Sequence, residues 1–192
     1  MRRRFAAVLV SAGLLVSACG TAAEKGPAQV TAAVQAVGSF NETDVMFLQM
    51  MVAHHKQGLE MVRLAKKTAT RSEVRTLAEA VDATQTDEVE LMTSWLTGWN
   101  QPATVDHAPS AHADHGGLPA TGPEELAALR KAKKAEFEPM FLNLFVAHQH
   151  NAVEMAQLEA TDGVNTEAKA FADRVRESRA DQIRQMLTLM NP

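Results

Sequence analysis

Cysteine is almost missing from this chain of 192 residues, and tyrosine is missing altogether. The single Cys19 excludes an internal disulfide framework, a CxxC redox pair, a cysteine-built zinc site and the CxxCH attachment of covalent haem. Ten glycines and seven prolines are too few for a collagen-like or linker-dominated chain. Basic residues are outnumbered, 19 against 23 acidic, and the net charge of −4 leaves no basic footprint for nucleic acid. No segment alternates apolar and polar residues with period two, so no strand is expected. The one long apolar run, Phe5 to Val16, falls short of the roughly 20 residues that span a bilayer.

What is present begins with a leader. Arg2, Arg3 and Arg4 precede that apolar run, and Val16-Ser17-Ala18-Cys19-Gly20 follows it. A charged start, a short apolar centre and small residues make a secretory signal over 1–18. Small residues before a cysteine resemble a bacterial lipobox, in which Cys19 becomes a lipidated N-terminus. Each buried CH2 of its acyl chains adds about 0.8 kcal/mol of membrane affinity. The expected product is exported and held on the outer side of the membrane by lipid on Cys19. Loss of three arginines takes its charge to −7, which favours cations over phosphates. Residues 19–38 read as a tether.

From residue 39 to 190 the apolar period is helical. Asn41 with Asp44, Ser39 with Glu42, and Thr70 with Glu73 have capping-box spacing. Pro123 suits a first helical turn, and Pro139 is expected to kink that helix or end a first piece of it. Asn165 or Thr166 caps the last helix. The strongest signal is an internal repeat at an offset of 94 residues. Val52-Ala53-His54-His55-Lys56-Gln57-Gly58-Leu59-Glu60-Met61 matches Val146-Ala147-His148-Gln149-His150-Asn151-Ala152-Val153-Glu154-Met155. The same offset relates Phe47 to Phe141, Val81 to Val175 and Met92 to Met186. The fold class is therefore all-α: a ferritin-like four-helix bundle of two repeated hairpins, 39–99 and 123–190, joined by a long crossover, 100–122.

Helix geometry places polar residues in the middle of this bundle. Met51, His54 and Gly58 share the stripe of Phe47 and Met61, His55 lies beside it, and Asp44 opens it. Counting back from the turn near residue 69 brings Gln85 and Glu88 opposite the histidines. In the second copy, His148 keeps its place, while Phe145, Gln149, Arg179 and Gln182 replace Met51, His55, Gln85 and Glu88. A buried carboxylate has to be paired or metal-bound. His54, His55, Met51, Glu88 and His148 are thus candidate metal ligands, with Asp44, Gln85, Arg179 and Gln182 as polar core. The first copy is expected to carry the greater affinity, because Arg179 would repel a metal beside His148. The competing reading is a hydrogen-bonded polar core that fixes helix register. The crossover offers a second candidate set, His107, His112 and His115, beside Asp106 and Asp114.

The pattern Phe40-Asn41-x-x-Asp44-x-x-Phe47-x-x-x-Met51-x-x-His54-His55-x-x-x-x-x-Met61 resembles the DUF305 family (domain of unknown function 305). So do Gln85-x-x-Glu88-x-x-x-Met92-x-x-Trp95-Leu96 and Pro123-Glu124-Glu125-Leu126. The resemblance covers residues 39–190. It implies a ferritin-like bundle, an envelope location and, for some members, copper bound through His and Met. Imidazole and thioether suit Cu(I), and imidazole with carboxylate suits Cu(II). A copper-binding envelope lipoprotein is therefore the leading expectation. A metal-free structural or partner-binding lipoprotein is the alternative, with no protein partner indicated. A di-metal enzyme is disfavoured, since no Glu-x-x-His motif is present.

Overall fold

The structure is a computed structural model that describes residues 38–104 and 121–191. Cys19, the leader and the tether lie outside the described residues, as do His107, His112 and His115. Five helices follow in order: α1 Glu42–Thr68, α2 Ser72–Gly98, α3 Pro123–Lys131, α4 Lys134–Asp162 and α5 Thr166–Met190. Among the described residues there is no strand, and no helix is long and apolar enough to cross a membrane.

Helices α1 and α2 pair as one hairpin, α4 and α5 as the other, and α1 packs against α4. Asp44 at the start of α1 meets Val164 and Asn165 just beyond the end of α4. Thr70, beyond the end of α1, meets Glu138 near the start of α4. The two central helices therefore run antiparallel. Since α2 ends where α1 begins and α4 begins where α1 ends, the connection from α2 to α4, which includes α3, joins opposite ends of the bundle, as in ferritin-like topologies. Two apolar clusters fill the interior at either end. One gathers Phe47, Leu48, Met51, Trp95, Leu96 and Phe171, and the other gathers Met61, Val62, Val81, Phe137, Phe141 and Phe145. The polar residues lie between them.

The ends are closed by matched carboxylates. Asn41 and Asp44 form the expected capping box on α1. Asp44 also accepts from the backbone of Val164 at 3.1 Å and Asn165 at 2.9 Å, at the start of α5. Glu138 is its repeat-mate, 94 residues on, and Thr70 and Arg71 are the mates of Val164 and Asn165. Glu138 accepts from the backbone N–H groups of both Thr70 and Arg71, and from the Arg71 side chain at 2.6 Å. The duplicated chain thus caps each outer helix with a carboxylate from the opposite hairpin. Burial pushes the Glu138 carboxyl up, but these hydrogen bonds outweigh it and hold it at about 2.

Two expectations about boundaries change. The Thr70–Glu73 box does not form: Arg71 is the N-cap of α2, without a side-chain cap of its own, and Glu138 supplies the acceptor instead. The third helix breaks at Ala132–Lys133, not at Pro139, which lies inside α4. Pro139 is the sixth residue of α4, past the first turn, so the helix forgoes the bond to the Ala135 carbonyl there and continues through it.

Candidate functional site

Mid-bundle, α1 crosses α4 at His54 and His148. Their rings stack at 3.6 Å with 12° between planes. The His54 Nε2–H donates to the His148 carbonyl at 2.9 Å, which leaves its lone pair on Nδ1. The His148 ring is the end of a ladder along α4, in which Phe137, Phe141 and Phe145 stack in turn at 6.1 and 5.3 Å, and Phe145 on His148 at 5.6 Å. Phe145, the mate of Met51, therefore backs the imidazole with a ring where the first copy has a thioether. On its other edge, His148 Nδ1 meets the Thr121 hydroxyl at 3.2 Å. Gln57 holds Thr121 by exchanging two hydrogen bonds with its backbone, at 2.8 and 3.0 Å.

The second arm of the site starts from His55. Its Nε2–H donates to Glu88 at 2.7 Å, and Arg179 of α5 also pairs with the same carboxylate oxygen. The Arg179 Nη2 lies 3.1 Å from the His55 ring nitrogen. The mates of His55 and Glu88, Gln149 and Gln182, hydrogen-bond to each other at the same offset. One face of the core is thus a charged pair with a guanidinium, and its duplicate is a neutral amide pair. Arg179, expected beside His148, is near enough to lower that ring's pKa, but its hydrogen-bond partner is Glu88 of the first-copy pair. The His54 and His148 rings likewise belong to one stack, so the geometry does not divide the ligand candidates by repeat.

Electrostatics keep the imidazoles neutral. Burial holds the His54 ring well below the usual histidine range, helped by His148 and His55. Burial, with His55 and Arg179 nearby, takes His148 down to about 3. Burial also lowers His55, with Glu88 opposing and Arg179 assisting. For Glu88, burial acts upward, but His55 and Arg179 prevail and keep it ionised.

This core is not self-satisfied. His54 Nδ1, His55 Nδ1, His148 Nε2, both polar atoms of the Gln85 amide, Gln149 Oε1 and Arg179 Nε have no hydrogen-bond partner among the described residues. An unmet buried polar group costs roughly 1–3 kcal/mol, so so many in one region need a reason. Gly58 supplies a cradle for two of them. A Cβ there would meet Gln85 Oε1 at 2.6 Å and His148 Nε2 at 2.8 Å. Among the described residues, however, no three His, Cys, Asp or Glu side chains already converge as a metal clasp. The orphaned neutral imidazoles and the cradle suit a soft ion that accepts few ligands, not a tetrahedral structural zinc. Met51 is fully buried one turn before the histidines on α1.

Sequence patterning missed one buried acidic residue at the Asp44 end of the bundle. Glu159 is fully buried on α4, where its repeat-mate is Ala65, and it leans over Gly163, the mate of Ala69. Burial and the neighbouring Asp44 push its carboxyl up to about 8. The offset of 94 held the signal: a carboxylate and a glycine replacing two alanines in an apolar stripe.

Fold and site together define a duplicated all-α four-helix bundle with a buried histidine core. The chain belongs to the DUF305 family, the domain of unknown function whose model matches residues 44–190. A DUF305 fragment from Deinococcus radiodurans shares the fold at 23% identity and a TM-score of 0.71, covering 80% of this chain and 99% of that one. A DUF305 protein of Streptomyces coelicolor, described as secreted, is 26% identical with a TM-score of 0.71, covering 77% and 91%. CopM in its Cu(II)-bound form is 25% identical with a TM-score of 0.65, covering 77% and 95%. No curated protein matches the chain.

Proposed function

We propose that this protein is an exported, lipid-anchored envelope protein that binds copper in the core of its bundle. The observation that carries this reading is the set of buried neutral imidazoles, His54, His55 and His148, each with a ring nitrogen that has no partner among the described residues. A metal ligand must be a deprotonated imidazole, and burial has already removed that proton. His54 and His148, with Gln85 beside them, are the first candidates, because Arg179 occupies the other arm. Met51 and Glu88 complete the surroundings. Bound copper would supply Lewis acidity or one-electron chemistry, and the chain's own part is to hold and shield the ion. The likeness to CopM, seen with Cu(I) and with Cu(II), supports copper as the metal, and a core of neutral imidazoles beside a thioether suits Cu(I). The anchor rests on the lipobox-like Val16 to Cys19 segment alone.

Titration calorimetry tests the reading in a chain with His107, His112 and His115 changed to Ala. Copper binding is expected to persist there, and to fall at least tenfold with either His54→Ala or His148→Ala. Unchanged binding in both variants would favour the alternative, a metal-free polar core in which Glu88, His55 and Arg179 fix helix register.

A further inference from the structure

Arg179 is the largest fully buried side chain of the protein that carries a charge. It enters from α5, pairs with Glu88 of α2 and lies against His55 of α1, so three helices meet on it. The repeat shows that neither charge is needed for the fold as such. Arg179 stands where the first hairpin has Gln85, and Glu88 stands where the second has Gln182. The two charges therefore occur as a pair on a framework whose duplicate is neutral.

We propose that Arg179 is a fixed counter-cation that sets which ions the core accepts, admitting a soft monovalent cation and rejecting divalent ones. This rests on the metal-binding reading above and adds the charge selectivity. The guanidinium already neutralises Glu88, so this carboxylate has no net charge to offer an incoming ion. The penalty for burying an uncompensated ion grows with the square of its charge. A monovalent ion entering this core is therefore penalised far less than a divalent one. Among the described residues Glu88 is the carboxylate that reaches the core histidines, and Arg179 holds its oxygen. Coordination points the same way. Zinc asks for four ligands, and no ready-made clasp of three stands among the described residues. Replacing Arg179 by its repeat-mate, Gln, would free the Glu88 carboxylate and the neighbouring His55, and leave the core one charge more negative.

The test uses the full chain with Cys19→Ser, His107→Ala, His112→Ala and His115→Ala, so that the bundle alone is read. Ag(I) serves as the monovalent probe and Zn(II) as the divalent one, each followed by calorimetry and by the rise in melting temperature on addition of metal. The parent should bind Ag(I) in a manner lost with His54→Ala and His148→Ala together, and should bind Zn(II) weakly. Arg179→Gln should bind Zn(II) at least tenfold more tightly, and Zn(II) should raise its melting temperature. Arg179→Gln with Glu88→Gln restores a neutral core, gives both positions the residue that their repeat-mates Gln85 and Gln182 carry, and should lose the gain in Zn(II) while keeping Ag(I). Zn(II) affinity of Arg179→Gln within twofold of the parent would overturn the proposal even if Ag(I) binding stands. Absence of any Ag(I) binding that depends on His54 and His148 would instead overturn the metal-binding reading beneath it.

Discussion

The two hairpins agree at their ends and disagree in their middle. At both ends a carboxylate from one hairpin caps the outer helix of the other, Asp44 on α5 and Glu138 on α2, at matched positions 94 residues apart. In the middle, the first copy has His55 with Glu88 and the second has Gln149 with Gln182. Duplication kept what holds the helices in place and let the central residues diverge. An uncapped helix start costs stability in either copy, whereas a central polar group is constrained only by whatever it must meet.

The largest effects are expected where the copies agree. Asp44→Ala leaves the N–H groups of Asn41, Val164 and Asn165 without their acceptor, two of them from the opposite hairpin. A loss of roughly 2–4 kcal/mol follows from one buried and two part-buried donors, at about 1–3 kcal/mol for each fully buried one. Glu138→Ala should cost less, because Glu138 accepts partly from Arg71, which is half-exposed. Urea denaturation of both variants checks the order, and equal or reversed losses would break the comparison.

A smaller effect is expected at Gly58, whose mate is Ala152. Gly58→Ala forces the Gln85 amide and the His148 ring aside, which costs about 1–3 kcal/mol as overpacking. Ala152→Gly should cost about 1 kcal/mol through helix propensity alone. Copper affinity measured alongside should fall for the first variant and hold for the second.

The smallest effect, and the one tied to pH, concerns the extra carboxyl at one end. Glu159 lies beside Asp44, and Ala65 occupies the matching place in the other copy. Its folded pKa of about 8 stands above the ordinary carboxyl value of 4.5. The folded state therefore holds a proton that the unfolded state releases. The associated stability is complete below pH 4.5 and is lost as pH rises toward 8. Glu159→Gln should match the parent near pH 4 and exceed it by on the order of 1–2 kcal/mol at pH 8. Melting curves across that range check the sign. A variant that is equally stabilised at both pH values would rule out the buried proton.

Much of this architecture could be read from residues alone. The period of Phe47, Met51, His54, Gly58 and Met61 gave the central helix, and the 94-residue offset gave the duplication. Counting from the turn placed Glu88 across from the histidines, where it pairs with His55. Three things escaped. Periodicity assigns a residue to a face, but not to a neighbour on the other hairpin, so it puts Arg179 near His148 without showing its bond to Glu88. Local capping rules look within one helix, so Thr70 was given to Glu73 when Glu138 caps α2 from α4. Glu159 sits in an apolar stripe as a polar letter, and only its comparison with Ala65 marks it as buried.

The central claim is that the buried imidazoles, not the crossover histidines, take the metal. Nitrogen-15 spectra of the histidine rings before and after addition of one equivalent of Cu(I) test this most directly, with Cys19 replaced by Ser. The account predicts that the ring nitrogens of His54 and His148 shift together at one equivalent, while His107, His112 and His115 hold their positions. Shifts confined to the crossover histidines, with His54 and His148 unmoved, would contradict it.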